Sequence, residues 1–281
     1  MKTNIKIIFG CLLAVSLATV AYGCKGKASN TDNATDTVAT AKPVGPTFNA
    51  DSAYAFTAAQ CDFGPRVMNS AAHDKCGKWI VEKFKEYGCD VQEQKADLKA
   101  YDGTVLKATN IIARFNPEAK KRVLICAHWD SRPWADNDPD SANHKKPVMA
   151  ANDGASGVAV MLELARQLQA DKKLKVGVDF VCFDAEDWGV PRWETRYPNA
   201  DDSWALGAQY YAKNFPTAVK PEFGILLDMV GGEGAQFYRE GMSVQFAPDI
   251  VNRVWEAAKA AGFGSYFPDA IGGMVTDDHV P

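Results

Sequence analysis

Short apolar runs alternate with amphipathic segments along most of the chain. Apolar residues at helical spacing predict helices at about residues 73–87, 158–168, 204–213 and 250–261. Runs that are nearly all apolar predict strands buried on both faces at 123–128, 176–183 and 223–229, with a shorter strand at 110–115. Buried strands that alternate with helices predict an α/β domain, a three-layer sandwich around a mainly parallel central mixed sheet.

The first 23 residues have the pattern of a signal peptide. Lys2 and Lys6 precede an uncharged apolar run that is shorter than a membrane span. The run ends before Cys24 in a sequence that resembles the lipobox of bacterial lipoproteins, although Tyr22 departs from it. We therefore expect an exported cell-envelope or periplasmic lipoprotein, held on a membrane by a lipid at Cys24. The alternative is cleavage after Gly23, which releases a soluble periplasmic protein.

The remaining chain divides into a tether and one folded domain. Residues 24–47 contain almost no large apolar side chains and are predicted to be flexible, so the domain is expected over 48–281. The chain has 281 residues, 47% hydrophobic and 23% charged, which is enough for one sizeable core. The formal net charge of -4, without a long basic run, argues against a nucleic-acid partner. We expect a monomer.

The cysteines of the domain are Cys61, Cys76, Cys89, Cys126 and Cys182. None forms a Cys-x-x-Cys pair, which argues against a thiolate zinc site. Cys126 and Cys182 lie in apolar runs and are predicted to be core residues. The sequence does not decide whether Cys61 forms a disulfide with Cys76 or Cys89.

Polar side chains of a metal-binding kind follow the predicted core strands. His128, Asp187 and Asp228 lie at or just after the three strands, Asp153 lies in a loop before a helix, and Asp277 comes late in the chain. Sites in such sheets collect beyond the carboxyl ends of the strands. A single Asp there is also typical of a helix N-cap. Several carboxylates together resist ionisation unless a cation compensates them, and zinc accepts carboxylate and imidazole ligands.

Glu186 directly precedes Asp187. Neighbouring side chains at a strand end point in different directions, so one can bind the metal while the other carries protons to and from substrate. Partial burial and a nearby cation tune such a Glu toward proton transfer near neutral pH.

Several motifs, in this order and spacing, resemble the zinc exopeptidases of the M28 peptidase clan. Within the clan they look most like the glutaminyl-peptide cyclotransferases, or glutaminyl cyclases. The resemblance extends from about residue 59 to the last residue. The motifs lie at 63–67 with 72–73, 128–131, 151–155 with 161–166, 183–187, 226–231 and 277–281.

The resemblance implies a zinc-exopeptidase-like fold and a role for each matched residue. Asp153 and Asp187 take the positions of two zinc ligands. Glu186 takes the position of the general acid/base. Asp228 and Asp277 take the positions of two carboxylates that support it.

Two further points follow from the resemblance. Trp193 is loosely matched to an aromatic side chain that lines the substrate pocket. The third zinc ligand of the family is a histidine some tens of residues beyond the motif at 277–281. None of the four histidines of the chain is an obvious substitute, so we expect the domain to be truncated at its C-terminus.

The implied reaction is cyclisation of an N-terminal Gln of peptides or proteins to pyroglutamate, an acyltransferase reaction that releases ammonia and uses one zinc ion. A two-zinc M28 aminopeptidase is the first alternative; there Asp153 bridges two metals, His128 and Asp228 hold the second, and Glu186 activates water. In the cyclase, His128 supports the site without binding metal. A non-catalytic binding domain on this fold is the second alternative, and the retained Glu186 and Asp187 argue against it.

Overall fold

The computed structural model of the protein describes residues 46–170, 174–197 and 201–281. The predicted signal peptide, the lipidation site at Cys24 and most of the predicted tether lie outside the described residues. Within the described part of the chain, every helix is too short or too polar to span a membrane.

The described domain is built on a mixed sheet of five strands in the order β1-β2-β4-β3-β5. The strands are β1 (Asp90–Lys99), β2 (Val105–Phe115), β3 (Arg122–His128), β4 (Gly177–Phe183) and β5 (Gly224–Leu226). Strand β3 runs parallel to both β4 and β5, whereas β2 is antiparallel to its neighbours β1 and β4. The parallel half therefore presents three carboxyl ends at one edge, where the sequence places its acidic residues.

Helices cover both faces of the sheet. They are α1 (Ala50–Asp62), α2 (Ala71–Glu86), α3 (Ser156–Ala170), α4 (Leu206–Lys213), α5 (Gly241–Phe246) and α6 (Pro248–Ala260). On one face Phe84 of α2 and Met161 of α3 pack in one core cluster with Phe180 of β4. On the other face Val181 of β4 packs with Tyr211 of α4. The neighbouring residues Phe180 and Val181 point to opposite faces, as strand geometry requires, and the three-layer prediction is confirmed.

Three elements have no counterpart in the predictions: α1, β1 and the short helix α5. Helix α1 buries only Gln60, so its apolar residues do not form the one-sided stripe that marks an amphipathic helix. Strand β1 is an edge strand whose residues are exposed or half-buried and largely polar. The predicted strand at 223–229 is also too long, because its pairing with β3 covers only Gly224–Leu226.

The five cysteines of the described residues are free thiols, and Cys126 and Cys182 are buried in the core as predicted. Helix α3 lies very close to the sheet at Gly157, where an added Cβ atom would be 2.2 Å from the carbonyl oxygen of Leu227. This approach places the N-terminal end of α3, and the loop before it, directly against the carboxyl ends of β3 and β5.

Candidate metal centre

The side chain of His128 lies at the centre of an acidic cluster. His128 is the last residue of β3 and is buried. Its Nε2 atom is 2.8 Å from Oδ1 of Asp153 and 3.4 Å from Oδ1 of Asp228. Each of these three residues offers one ligand atom, and the three atoms lie within 4.8 Å of one another. The carboxyl ends of β3 and β5 and the loop before α3 therefore meet at this histidine.

Asp153 is carried by a distorted turn, Ala151–Ala155, that leads into α3. Asp153 itself is not helical (φ -86°, ψ 99°), and Gly154 has a φ of 98° that favours glycine. A Cβ atom at Gly154 would lie 3.0 Å from the carbonyl oxygen of Asp130 and 3.0 Å from the ring of His128. The glycine therefore lets the turn approach the end of β3 closely enough for Asp153 to reach His128.

Asp187, the second expected ligand, lies beside this group and is paired with an arginine. Arg132 donates to the Asp187 carboxylate at 3.3 Å and to the Asp187 carbonyl oxygen at 3.1 Å. Burial and the charge of Asp153 raise the pKa of Asp187 to about 8. Asp153 is only partly buried, and its charge opposes the ionisation of the buried Asp187, an opposition that a divalent cation would relieve. The charges of Asp153 and Asp187 suit a metal ion, but the group whose ligand atoms lie within 4.8 Å of one another is His128, Asp153 and Asp228, and it does not include Asp187.

Glu186 is largely buried and close to the same histidine. Its side chain is 14% exposed, and its Oε2 atom is 4.0 Å from Nδ1 of His128. Burial raises the pKa of Glu186 well above its ordinary value, and the nearby charge of Asp187 acts in the same direction. A carboxyl group of this kind is suited to take up and return a proton, which is the role the sequence assigned to Glu186.

Two buried acids fix the end of β4 that carries Glu186. The carboxylate of Asp130 accepts hydrogen bonds from the backbone N–H groups of Glu186 (3.1 Å) and Asp187 (3.2 Å). The carboxylate of Asp184 accepts a bond from the backbone of Thr109 on β2 and lies 2.8 Å from Nε2 of His73 on α2. Asp130 was not among the predicted site residues, and the signal that points to it is its place in the motif at 128–131.

Asp228 and Asp277 reach the same site. The Oδ1 atom of Asp228 is buried and has no hydrogen-bond partner in the described part of the chain, although it is close to His128. Burial raises the pKa of Asp277, and the charge of Asp228 contributes to that shift. Asp278, which the sequence did not single out, is buried, and neither of its carboxyl oxygens has a hydrogen-bond partner among the described residues.

Trp193 lies on the exposed rim of an aromatic cluster. Its side chain is stacked on His144, with ring centroids 6.2 Å apart, and its edge contacts Trp134 at 6.1 Å. Trp134 in turn contacts Trp188, which directly follows Asp187. Trp193 is 44% exposed, so an aromatic surface runs from the acidic centre to solvent.

The mixed sheet with helices on both faces is a zinc-exopeptidase-like fold, as in similar solved structures. Residues 110–281, more than half of the chain, match peptidase family M28, and the protein belongs to that family.

Similar proteins carry names for two different activities. A glutaminyl cyclase of Bacteroides thetaiotaomicron, solved with N-acetylhistamine, is 49% identical with a TM-score of 0.82, over 84% of this chain and 81% of that one. A Zn-dependent exopeptidase of Parabacteroides distasonis is 51% identical with a TM-score of 0.81, over 84% and 80%. Aminopeptidase YwaD of Bacillus subtilis is 30% identical over 224 residues, 74% of this chain and 40% of its own length. The chain spans less than half the length of the curated relatives it matches.

Proposed function

We propose that this protein is a zinc-dependent glutaminyl-peptide cyclotransferase that acts on peptides and proteins with an N-terminal Gln. The observation that carries the proposal is the largely buried Glu186 carboxyl group, which lies 4.0 Å from His128 on a backbone that Asp130 holds through the Glu186 N–H. The similarity to a glutaminyl cyclase at 49% identity supports it.

Asp153 and Asp187 would hold the zinc ion, whose chemistry is to polarise the γ-carbonyl of the substrate glutamine. The α-amine attacks the γ-carbon of the same residue, which forms a C–N bond and expels the side-chain nitrogen as ammonia. Glu186 takes a proton from the attacking amine and returns one to the departing nitrogen, so no proton is gained or lost overall. Because both reacting groups belong to one residue, their proximity supplies much of the rate.

The other acids and the aromatic rim have supporting roles in this proposal. Asp228, which lies 3.4 Å from His128, and Asp277, whose pKa responds to the charge of Asp228, would orient the proton-carrying groups. The exposed face of Trp193 packs against the substrate at the mouth of the site. The substrate is therefore a chain end, held by its first residue and open to solvent beyond it.

The two-zinc aminopeptidase is the second candidate, and one observation favours it. His128, Asp153 and Asp228 bring three ligand atoms within 4.8 Å of one another, a second set of donors around the shared Asp153. There Glu186 would activate a water molecule for hydrolysis.

The experiment that separates the two candidates uses the zinc-loaded, full-length protein and a Gln-initiated peptide. For the cyclase we expect the peptide mass to fall by one ammonia molecule, with ammonia in solution and one zinc ion per chain. Release of free glutamine and a shortened peptide would contradict the cyclase. Two tightly bound zinc ions per chain would also count against it.

The proposal places the reaction in the cell envelope, on the pattern of residues 1–24. Labelling of growing cells with a fatty-acid analogue should mark the wild-type protein and leave the Cys24→Ala variant unmarked. Equal labelling of both proteins would contradict an anchor at Cys24.

A further inference from the structure

Arg66 is a buried arginine that donates to the backbone of the metal-binding turn. Its guanidinium group donates to two successive carbonyl oxygens, those of Met149 and Ala150, the second at 2.7 Å. Ala150 has a left-handed backbone (φ 56°, ψ 47°) and immediately precedes the turn Ala151–Ala155 that carries Asp153. The side chain of Arg66 therefore holds the point where the chain bends toward the site.

The backbone of Arg66 holds the second loop of the site. Its N–H donates to Oγ of Ser131 at 3.0 Å, and the N–H of Ser131 donates to the carbonyl of Arg66 at 3.1 Å. Ser131 directly follows Asp130, whose carboxylate accepts the backbone bonds of Glu186 and Asp187. One residue thus connects the loop after β3 with the loop before α3.

The chemistry of the arginine suits this task. A non-glycine residue in a left-handed conformation is strained and persists only where its surroundings enforce it. Guanidinium offers several donors in one rigid plane, whereas the ammonium group of lysine is a compact point charge whose three donors rotate on a flexible stem. Arg66 uses this plane to bind neutral carbonyl oxygens. Burial lowers the pKa of its guanidinium group, and the charges of Asp130 and Asp153 act in the opposite direction. The guanidinium group of Arg66 therefore hydrogen-bonds to backbone carbonyl groups and does not form an ion pair with either acid.

We propose that Arg66 is a positioning residue that fixes the turn carrying Asp153 and thereby sets the affinity of the site for zinc. The inference rests on the proposed function only through the assignment of Asp153 as a zinc ligand. Its two physical effects have opposite signs. As a positive charge near Asp153, Arg66 weakens the binding of a cation. Through its hydrogen bonds to the backbone before the turn, Arg66 holds Asp153 in place and strengthens zinc binding, and we propose that this second effect dominates.

The test measures zinc affinity of the full-length protein by competition with a chelator, for wild type, Arg66→Lys and Arg66→Met. We expect both variants to bind zinc about 10- to 100-fold more weakly, the usual effect of losing a group that orients a ligand. Arg66→Lys keeps the charge and loses the planar donor pair, so it isolates positioning. Unchanged affinity in Arg66→Lys, or tighter binding in Arg66→Met, would overturn the proposal.

Arg122 provides a matched control at the opposite end of β3. It is also buried, and it donates to the backbone carbonyls of Phe115 and Asn116 and to Asp179. We expect Arg122→Lys to lower the stability of the fold and leave zinc affinity unchanged. If Arg122→Lys weakens zinc binding as much as Arg66→Lys does, the effect is a general loss of stability and the proposal is wrong.

Hydrogen–deuterium exchange on the metal-free proteins gives a readout independent of zinc and of activity. Arg66→Lys should speed exchange at residues 149–155 and Arg122→Lys should not. Equal protection of 149–155 in wild type and Arg66→Lys would overturn the proposal even if zinc does not bind. A wild-type protein that binds zinc but releases free glutamine would contradict the cyclase and leave these measurements valid.

Discussion

The Oδ1 atom of Asp130 accepts a hydrogen bond of 3.1 Å from the backbone N–H of Glu186, so a residue two positions after β3 holds the backbone that follows β4. The other oxygen of Asp130 accepts from the N–H of Asp187 at 3.2 Å. Both oxygens of one buried carboxylate are thus used to place the proposed proton carrier and the adjacent proposed metal ligand.

Replacement of Asp130 by Asn should loosen both residues. The amide keeps one acceptor, turns a donor toward the second N–H and loses the charge, so we expect a stability loss of about 1.5–3 kcal/mol. Displacement of Glu186 should lower kcat about 10- to 100-fold. Urea denaturation and steady-state kinetics measure the two effects. Asp97→Asn, at an exposed ion pair with Lys107, is the control and should change neither. Wild-type kcat in Asp130→Asn would show that the hydrogen bonds of Asp130 to the backbone of Glu186 and Asp187 do not matter for catalysis.

Glu186→Gln should separate proton transfer from metal binding. The amide has nearly the same shape but cannot accept a proton, so we expect kcat to fall about 10²- to 10⁴-fold. The zinc content should stay at the wild-type value because Glu186 is not in the proposed ligand set. Turnover of a Gln-initiated peptide and metal analysis of the same sample provide the measurement. Full activity with zinc bound would rule out the assigned proton carrier.

His128→Gln should distinguish one metal from two. In the proposed cyclase His128 orients Asp153 through the 2.8 Å contact, so the variant should still bind one zinc ion, more weakly than wild type. In the two-zinc aminopeptidase, the same change should lower the zinc content from two to one. Elemental analysis after dialysis, at matched protein concentrations, decides between these outcomes.

Glu240→Gln should reveal a pH-dependent contribution of Glu240 to stability, because its carboxylate binds the backbone of its own helix and of Val275, near Asp277. Although burial opposes ionisation, bonds from the backbone of Met242, Ser243 and Val275 and from the Ser243 hydroxyl lower the pKa of Glu240 to about 2. The folded pKa lies below the ordinary value of about 4.3, so the stabilisation is complete above that pH and is lost as pH falls toward 2. We expect the wild type to exceed the variant by about 2 kcal/mol at pH 7.

The difference should shrink as the pH is lowered from 5 toward 3, and urea denaturation at several pH values measures it. A difference that does not change with pH would show that the lost hydrogen bonds matter and the charge does not. Because Val275 lies two residues before Asp277, the variant should also raise hydrogen exchange in the segment 275–279.

Elements with a strong apolar pattern were predicted well from the sequence, and those without one were not. Strands β3 and β4 are nearly continuous apolar runs and helix α3 buries apolar residues at helical spacing, and both patterns are local properties of the chain. Helix α1 and strand β1 are not marked in this way, because their residues are mostly exposed or half-buried. Their positions depend on contacts with the rest of the domain.

The sequence by itself determined the fold class, the family motifs and the acids that follow the parallel strands, because parallel strands bring their carboxyl ends to one edge. It also selected Glu186 and Asp187, whose adjacency is a property of the chain. Only the tertiary structure decided how these groups pair: Asp153 with His128, Asp187 with Arg132, and Glu186 with Asp130. Such partners lie 25 to 56 residues apart, and a polar contact of about 3 Å depends on backbone placement that no local pattern encodes.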